Sequence, residues 1–94
     1  MAQSPFTLKI VTVAEALFDG EAFELHCRGI GGQMSVLAHH EPFVTPLEAC
    51  TLRVHTSLGE YKEYPISSGV LEVADNKAVV LCSSDGGQRV PAQS

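Results

Sequence analysis

Thr51-Leu52-Arg53-Val54-His55-Thr56, followed at once by Ser57-Leu58-Gly59, is the stretch on which the fold turns. Leu52 and Val54 alternate with Thr51, Arg53 and His55. That period of two places apolar side chains on one face of a β-strand and polar ones on the other. Ser57-Leu58-Gly59 reads as a hairpin turn, and residues 60–66 return from it with Tyr61 and Tyr64. The same pattern spreads in both directions. Downstream, Ser67-Ser68-Gly69 reads as a break, Val70-Leu71-Glu72-Val73 as a short strand, and Asp75-Asn76 as a tight turn into a last strand over 77–82. Upstream, Phe6-Thr7-Leu8-Lys9-Ile10 alternates, with a face change or bulge expected between Ile10 and Val11. Phe18-Asp19-Gly20 is expected to end a short irregular segment in a turn. Phe23, Leu25 and Cys27 alternate with Glu24, His26 and Arg28 as a further strand. Gly29-Ile30-Gly31-Gly32 reads as a loop, and residues 33–37 as a strand with Met34 and Val36 on one face. His39-His40-Glu41-Pro42 reads as a turn or crossover, and residues 43–47, interrupted by Pro46, as an edge piece. Residues 14–18 offer at most one helical turn, too short to stand alone.

Composition agrees. Val occurs ten times and Thr five in 94 residues, and 45% of the chain is hydrophobic, enough to build one small core and no second domain. Six Lys and Arg against eleven Asp and Glu leave a net charge of -5. That balance argues against nucleic-acid binding and against a basic membrane-surface helix. The longest apolar run, residues 78–82, is five residues, where a membrane-spanning helix needs about 20. No secretory signal is read near Met1, so a cytoplasmic address is expected. Many short strands at close spacing predict an all-β fold, a sandwich or barrel, over residues 1–84. Residues 85–94, with two Gly, two Gln and a Pro, are expected to form a flexible polar tail.

The candidate chemistry is thin. Cys27, Cys50 and Cys82 are odd in number and widely spaced, which argues against a disulfide framework, and Cys27 and Cys82 read as small core hydrophobes. His39 and His40 are adjacent, so on an extended chain they point to opposite sides and do not easily share a metal ion. The loop Gly29-Ile30-Gly31-Gly32 lacks the Lys-Ser/Thr and the helix of a phosphate-binding loop and reads as a tight turn. Ser35 lies in no nucleophile elbow. Glu24, Glu60 and Glu63 sit at polar strand positions. Catalytic, cofactor and metal sites are therefore not expected, and the chain reads as a module that binds rather than catalyses.

The order of motifs carries more than any one of them. Leu8-Lys9-Ile10-Val11 leads through Leu17-Phe18-Asp19-Gly20 to Gly29-x-x-Gly32-x-x-Ser35-Val36-Leu37-x-x-His40-x-Pro42-Phe43. Leu52-Arg53-Val54, Ser67-Ser68-Gly69-Val70-Leu71-Glu72-Val73 and Ala78-Val79-Val80-Leu81 follow. This set, from about Phe6 to Ser84, resembles the epsilon subunit of bacterial F-type ATP synthases, the counterpart of mitochondrial delta. The resemblance implies a β-sandwich of about ten strands at the foot of the rotating central stalk, peripheral to the cytoplasmic side of the membrane. It implies no catalytic residues and no cofactor. The implied partners are the gamma subunit and the c-ring, with membrane association only through the complex. It also implies contact residues for these partners: Gly29, Gly31, Gly32 and Gln33 in one loop, His40 and Pro42 in the other. Ser35, Ala38 and His39 stand where the family commonly has Gly, Pro and Gly; Ala49 and Cys50 replace a frequent Pro-Gly pair, and Gln33 a common acid. Many members continue into a carboxy-terminal helical hairpin that restrains hydrolysis; with no helical periodicity after Ser84, neither that hairpin nor ATP binding is expected here. The alternative is a free-standing β-sandwich that binds another protein or a small ligand.

Overall fold

The computed structural model describes residues 4–84; the tail expected over 85–94 lies outside them. Seven strands are present: β1 (Phe6–Val11), β2 (Ala16–Gly29), β3 (Gly32–Leu37), β4 (Phe43–Leu47), β5 (Cys50–Thr56), β6 (Tyr61–Ala74) and β7 (Lys77–Ser84). The expected strand count of about ten is recovered by the way two of them are used. β2 and β6 are 14 residues each and serve two layers. The first half of β2 pairs with β1, and the second half with β3 and β5. The first half of β6 pairs with β5, and the second half with β4 and β7. Counting each half separately gives nine strand segments: β4, late β6, β7, β1 and early β2 in one layer; β3, late β2, β5 and early β6 in the other.

Each long strand changes layer at a register shift, between Ala22 and Glu24 in β2 and between Ile66 and Ser68 in β6. An extra residue in one strand bends it and sharpens its twist, which is how a strand turns a corner between sheets. Gly20 and Ser67-Ser68-Gly69, read in the sequence as a turn and a break, therefore lie inside continuous strands. Gly20 is opposite Leu8 in the ladder, and Gly69 lies between Leu47 and Cys82. An added Cβ on Gly69 would meet the Leu81 carbonyl oxygen at 2.9 Å, so the close approach of β7 requires glycine there.

Phe23, expected on one face with Leu25 and Cys27, is displaced from the inward set by the shift between Ala22 and Glu24, and Ala22 is buried instead. Other expectations stand. β1 and β2 shift register between Ile10 and Val11, where the bulge was expected. Residues 14–18 form no helix. Thr12 closes the β1–β2 connection instead, its Oγ1 accepting the backbone N–H of Ala14 at 3.1 Å and of Glu15 at 3.2 Å. β5 and β6 form the hairpin through Ser57 and Leu58, and Asp75 and Asn76 turn with φ of 54° and 60°. Positive φ at both central residues matches the right-handed twist of the flanking strands. β4 pairs along its length with β6 and at one residue with β2, as an edge strand with Pro46 can. The inward-facing residues of both layers form one core, with Leu8, Ile10, Leu25, Leu52, Leu71, Val36, Val54 and Val80 wholly buried. Cys27 joins it, and Cys82 is half-buried against it.

Candidate interaction surfaces

The two loops singled out in the sequence are held apart by a strand. Gly29 and Gly32 pair as the last and first residues of β2 and β3, leaving Ile30 and Gly31 as a two-residue turn. Gly32 has φ of 116°, a conformation that favours glycine. Gly29 is buried: an added Cβ there would meet Met34 Sδ at 3.3 Å and Thr45 Oγ1 at 3.6 Å. Its role is to let neighbours close in. The exposed tip is made by Ile30, Gly31 and Gln33. Ile30 is 71% exposed. Sequence reading passed it over, although an apolar residue between glycines in a turn was the available signal.

His40 and Pro42 lie at the other end of β3. Six residues of strand put the two loops about 20 Å apart. Both are exposed. The His40 ring stands 4.8 Å from that of Phe43, tilted by 49°, and its Nδ1 lies 2.9 Å from the Glu41 carbonyl oxygen. Two contacts fix its direction. The backbone leading to it is tied down as well. His39 N–H donates to Asn76 Oδ1 at 2.7 Å, and Asn76 Nδ2 donates to the Pro5 carbonyl at 3.2 Å. One asparagine side chain thus joins the β3–β4 crossover, the β6–β7 turn and the chain before β1. His39 has φ of 64°, a left-handed conformation that explains the glycine expected at this position.

The outer faces of the two layers differ in chemistry. On the β4–β6–β7–β1 layer, Pro46, Val70, Leu81 and Val11 follow one another in register across four strands. Val70 and Leu81 are exposed, as is Val44 two residues before Pro46. This apolar row was legible only as the positions left over once the inward set was assigned. The other layer is largely polar, with Leu37 exposed at the end of β3. Ser35 Oγ and His26 Nδ1 are 2.9 Å apart, His26 Nε2 lies 3.4 Å from Glu24 Oε1, and Arg53 Nε lies 3.3 Å from Glu63 Oε2. His55 stacks on Tyr61 at 4.4 Å and meets Phe23 edge-on. Among the described residues no three His, Cys, Asp or Glu converge as metal ligands, so His39, His40 and Glu41 assemble no such group.

A family profile described as the ATP synthase delta/epsilon chain β-sandwich domain matches residues 5–84. This chain belongs to that family. It is 37% identical over 84 residues to the ATP synthase epsilon chain of Syntrophomonas wolfei, covering 89% of this chain and 61% of that one. It is 35% identical over 79 residues to the epsilon chain of Clostridium novyi, covering 84% and 60%. The chain thus spans about three-fifths of these relatives' length. A chain in the Euglena gracilis mitochondrial ATP synthase structure, solved with OSCP, F1 and the c-ring, superposes with a TM-score of 0.78 at 25% identity, covering 87% of this chain and 52% of that one. A chain of the Tetrahymena thermophila mitochondrial ATP synthase central stalk and c-ring superposes at 0.72 and 13% identity, covering 89% and 67%, a likeness of fold alone. Among the described residues no helix is long and apolar enough to cross a membrane.

Proposed function

We propose that this chain is a non-catalytic rotor subunit in the central stalk of an F-type ATP synthase, peripheral to the cytoplasmic face of the membrane. It binds the gamma subunit and the c-ring and so couples proton translocation to ATP synthesis. The family match over 5–84, which spans the whole described sandwich, carries the reading. Such a part needs a stiff body with separate contact surfaces. Two loops at opposite ends of β3 suit it: Ile30, Gly31 and Gln33 at one, His40 and Pro42 at the other. Gly29 and Gly32 shape the first loop.

Co-expression with a gamma subunit tests the proposal: the tagged chain should capture gamma in stoichiometric amount. Failure to form any complex would instead favour a free-standing binding module. In His40→Ala the sandwich should stay folded, because surface substitutions usually change stability by about 0.5 kcal/mol or less. Capture of gamma, or proton-driven ATP synthesis by the reconstituted enzyme, should weaken. A lowered melting temperature with coupling intact would make His40 a structural residue.

A further inference from the structure

We propose that Cys27, Met34 and Cys50 form a binding site for one soft monovalent metal ion of the copper(I) class. The protein has five sulfur-bearing residues, three Cys and two Met, and Cys27, Met34 and Cys50 line one cavity together. Met34 on β3 stands directly opposite Cys27 on β2, so both side chains lie on the same, inward face. The Met34 sulfur reaches toward Gly29, 3.3 Å from where a Cβ would be, and the missing side chain leaves it room. Cys50 arrives on the opposite edge of β2. Arg53 pairs with His26, and Glu48 N–H donates to the Arg28 carbonyl at 2.9 Å. The intervening residues therefore run beside Cys27. Cys50 precedes the buried Leu52 and Val54 by two and four positions, which puts it on the inward face, packed against the core.

Three neighbouring strands thus offer two thiols and a thioether to one cavity. Thiolate and thioether ligands select copper(I) over hard cations such as magnesium and calcium, which take oxygen. Structural zinc sites take four ligands, and among the described residues no His, Asp or Glu joins the two cysteines in a metal-binding group. Binding exchanges protons without redox change: one copper(I) ion enters, two S–H bonds break, two sulfur–metal bonds form and two protons leave to solvent, with the thioether completing a three-coordinate ion. A disulfide between Cys27 and Cys50 would leave Met34 without a part. Met34 and Cys50 are half-buried and mark the way in.

The test uses the full chain, reduced and anaerobic, with copper(I) supplied as its bicinchoninate complex. Wild type should withdraw one equivalent of copper from the chelator. Cys50→Ser should weaken binding about 100-fold or more, and Met34→Leu about 10-fold. Cys82→Ser removes a thiol on another strand and should change nothing. Cys27 is buried, so the half-buried Cys50 and Met34 carry the test, with melting temperatures confirming that each variant is folded. The site is refuted if reduced wild type withdraws no copper, if Cys82→Ser costs as much as Cys50→Ser, or if the double variant Met34→Leu/Cys50→Ser binds like wild type.

Discussion

Replacing Asn76 should cost far more than its place in a two-residue turn suggests. Its carboxamide oxygen accepts from His39 N–H at 2.7 Å, and its nitrogen donates to the Pro5 carbonyl at 3.2 Å. Each bond contributes about 1 kcal/mol. Its φ of 60° is tolerated by asparagine but costs alanine about 1 kcal/mol more. Asn76→Ala should therefore destabilise the domain by about 3 kcal/mol. For a domain of this length that lowers the melting temperature by roughly 15–20 °C. Asn76→Asp keeps the acceptor and the tolerance of left-handed backbone and loses only the donor. It should cost about 1 kcal/mol, or roughly 5 °C. Thermal unfolding followed by far-ultraviolet circular dichroism compares the three proteins directly. An Asn76→Ala protein melting within about 3 °C of wild type would refute the reasoning. So would an Asn76→Asp protein as unstable as Asn76→Ala, because the His39 bond would then count for nothing.

Gly69→Ala should lower stability by about 1–3 kcal/mol, since the new methyl meets the Leu81 carbonyl at 2.9 Å and Cys82 Cβ at 3.1 Å; denaturant titration gives the value, and an unchanged midpoint contradicts the close approach. His39→Gly should raise the melting temperature by roughly 2–4 °C, because relief of the left-handed φ of 64° outweighs the added freedom of the unfolded chain; a fall would show that the imidazole contributes. Stability should also decline as pH rises from about 9 to about 11. Cys27 keeps its proton in the folded state up to about 11, whereas the unfolded thiol ionises near 9.0, so alkali favours unfolding. Cys82 and Tyr64 are raised in the same direction by burial. Urea titrations across this range should show a shallower decline in Cys27→Ala, and an equal decline would remove Cys27 as a cause.

The layers were legible because alternation survives at Leu52 and Val54, at Phe6, Leu8 and Ile10, and at Leu71 and Val73, where one face is buried and the other is not. The turn at Asp75-Asn76 was legible for a local reason, since asparagine and aspartate tolerate the backbone it needs. What local chemistry misread were Gly20 and Ser67-Ser68-Gly69. Residues that favour turns in isolation were kept in strands by partners on both sides, Leu8 for Gly20, and Leu47 and Cys82 for Gly69. Those partners are distant in sequence, and no window of neighbours contains them. The two loops proposed as contacts were placed by motif order, yet their separation by the length of β3 and the burial of Gly29 depend on pairing. The second role of Asn76, holding His39 and Pro5, is likewise invisible until positions 37 and 71 residues away in sequence fold back onto it.

The shared use of β2 and β6 has a mechanical consequence. In a sandwich whose layers touch only through side chains, a twist applied to one layer is resisted by van der Waals contacts, which slide. Here two continuous backbones cross from layer to layer, at 22–24 and at 66–68. Rotating one layer against the other must therefore stretch covalent chain or tear ladder hydrogen bonds on both sides of each crossing. The body should behave under torsion as a single stiff block, with its slow amides exchanging together and no half-open state in which one layer frays while the other persists.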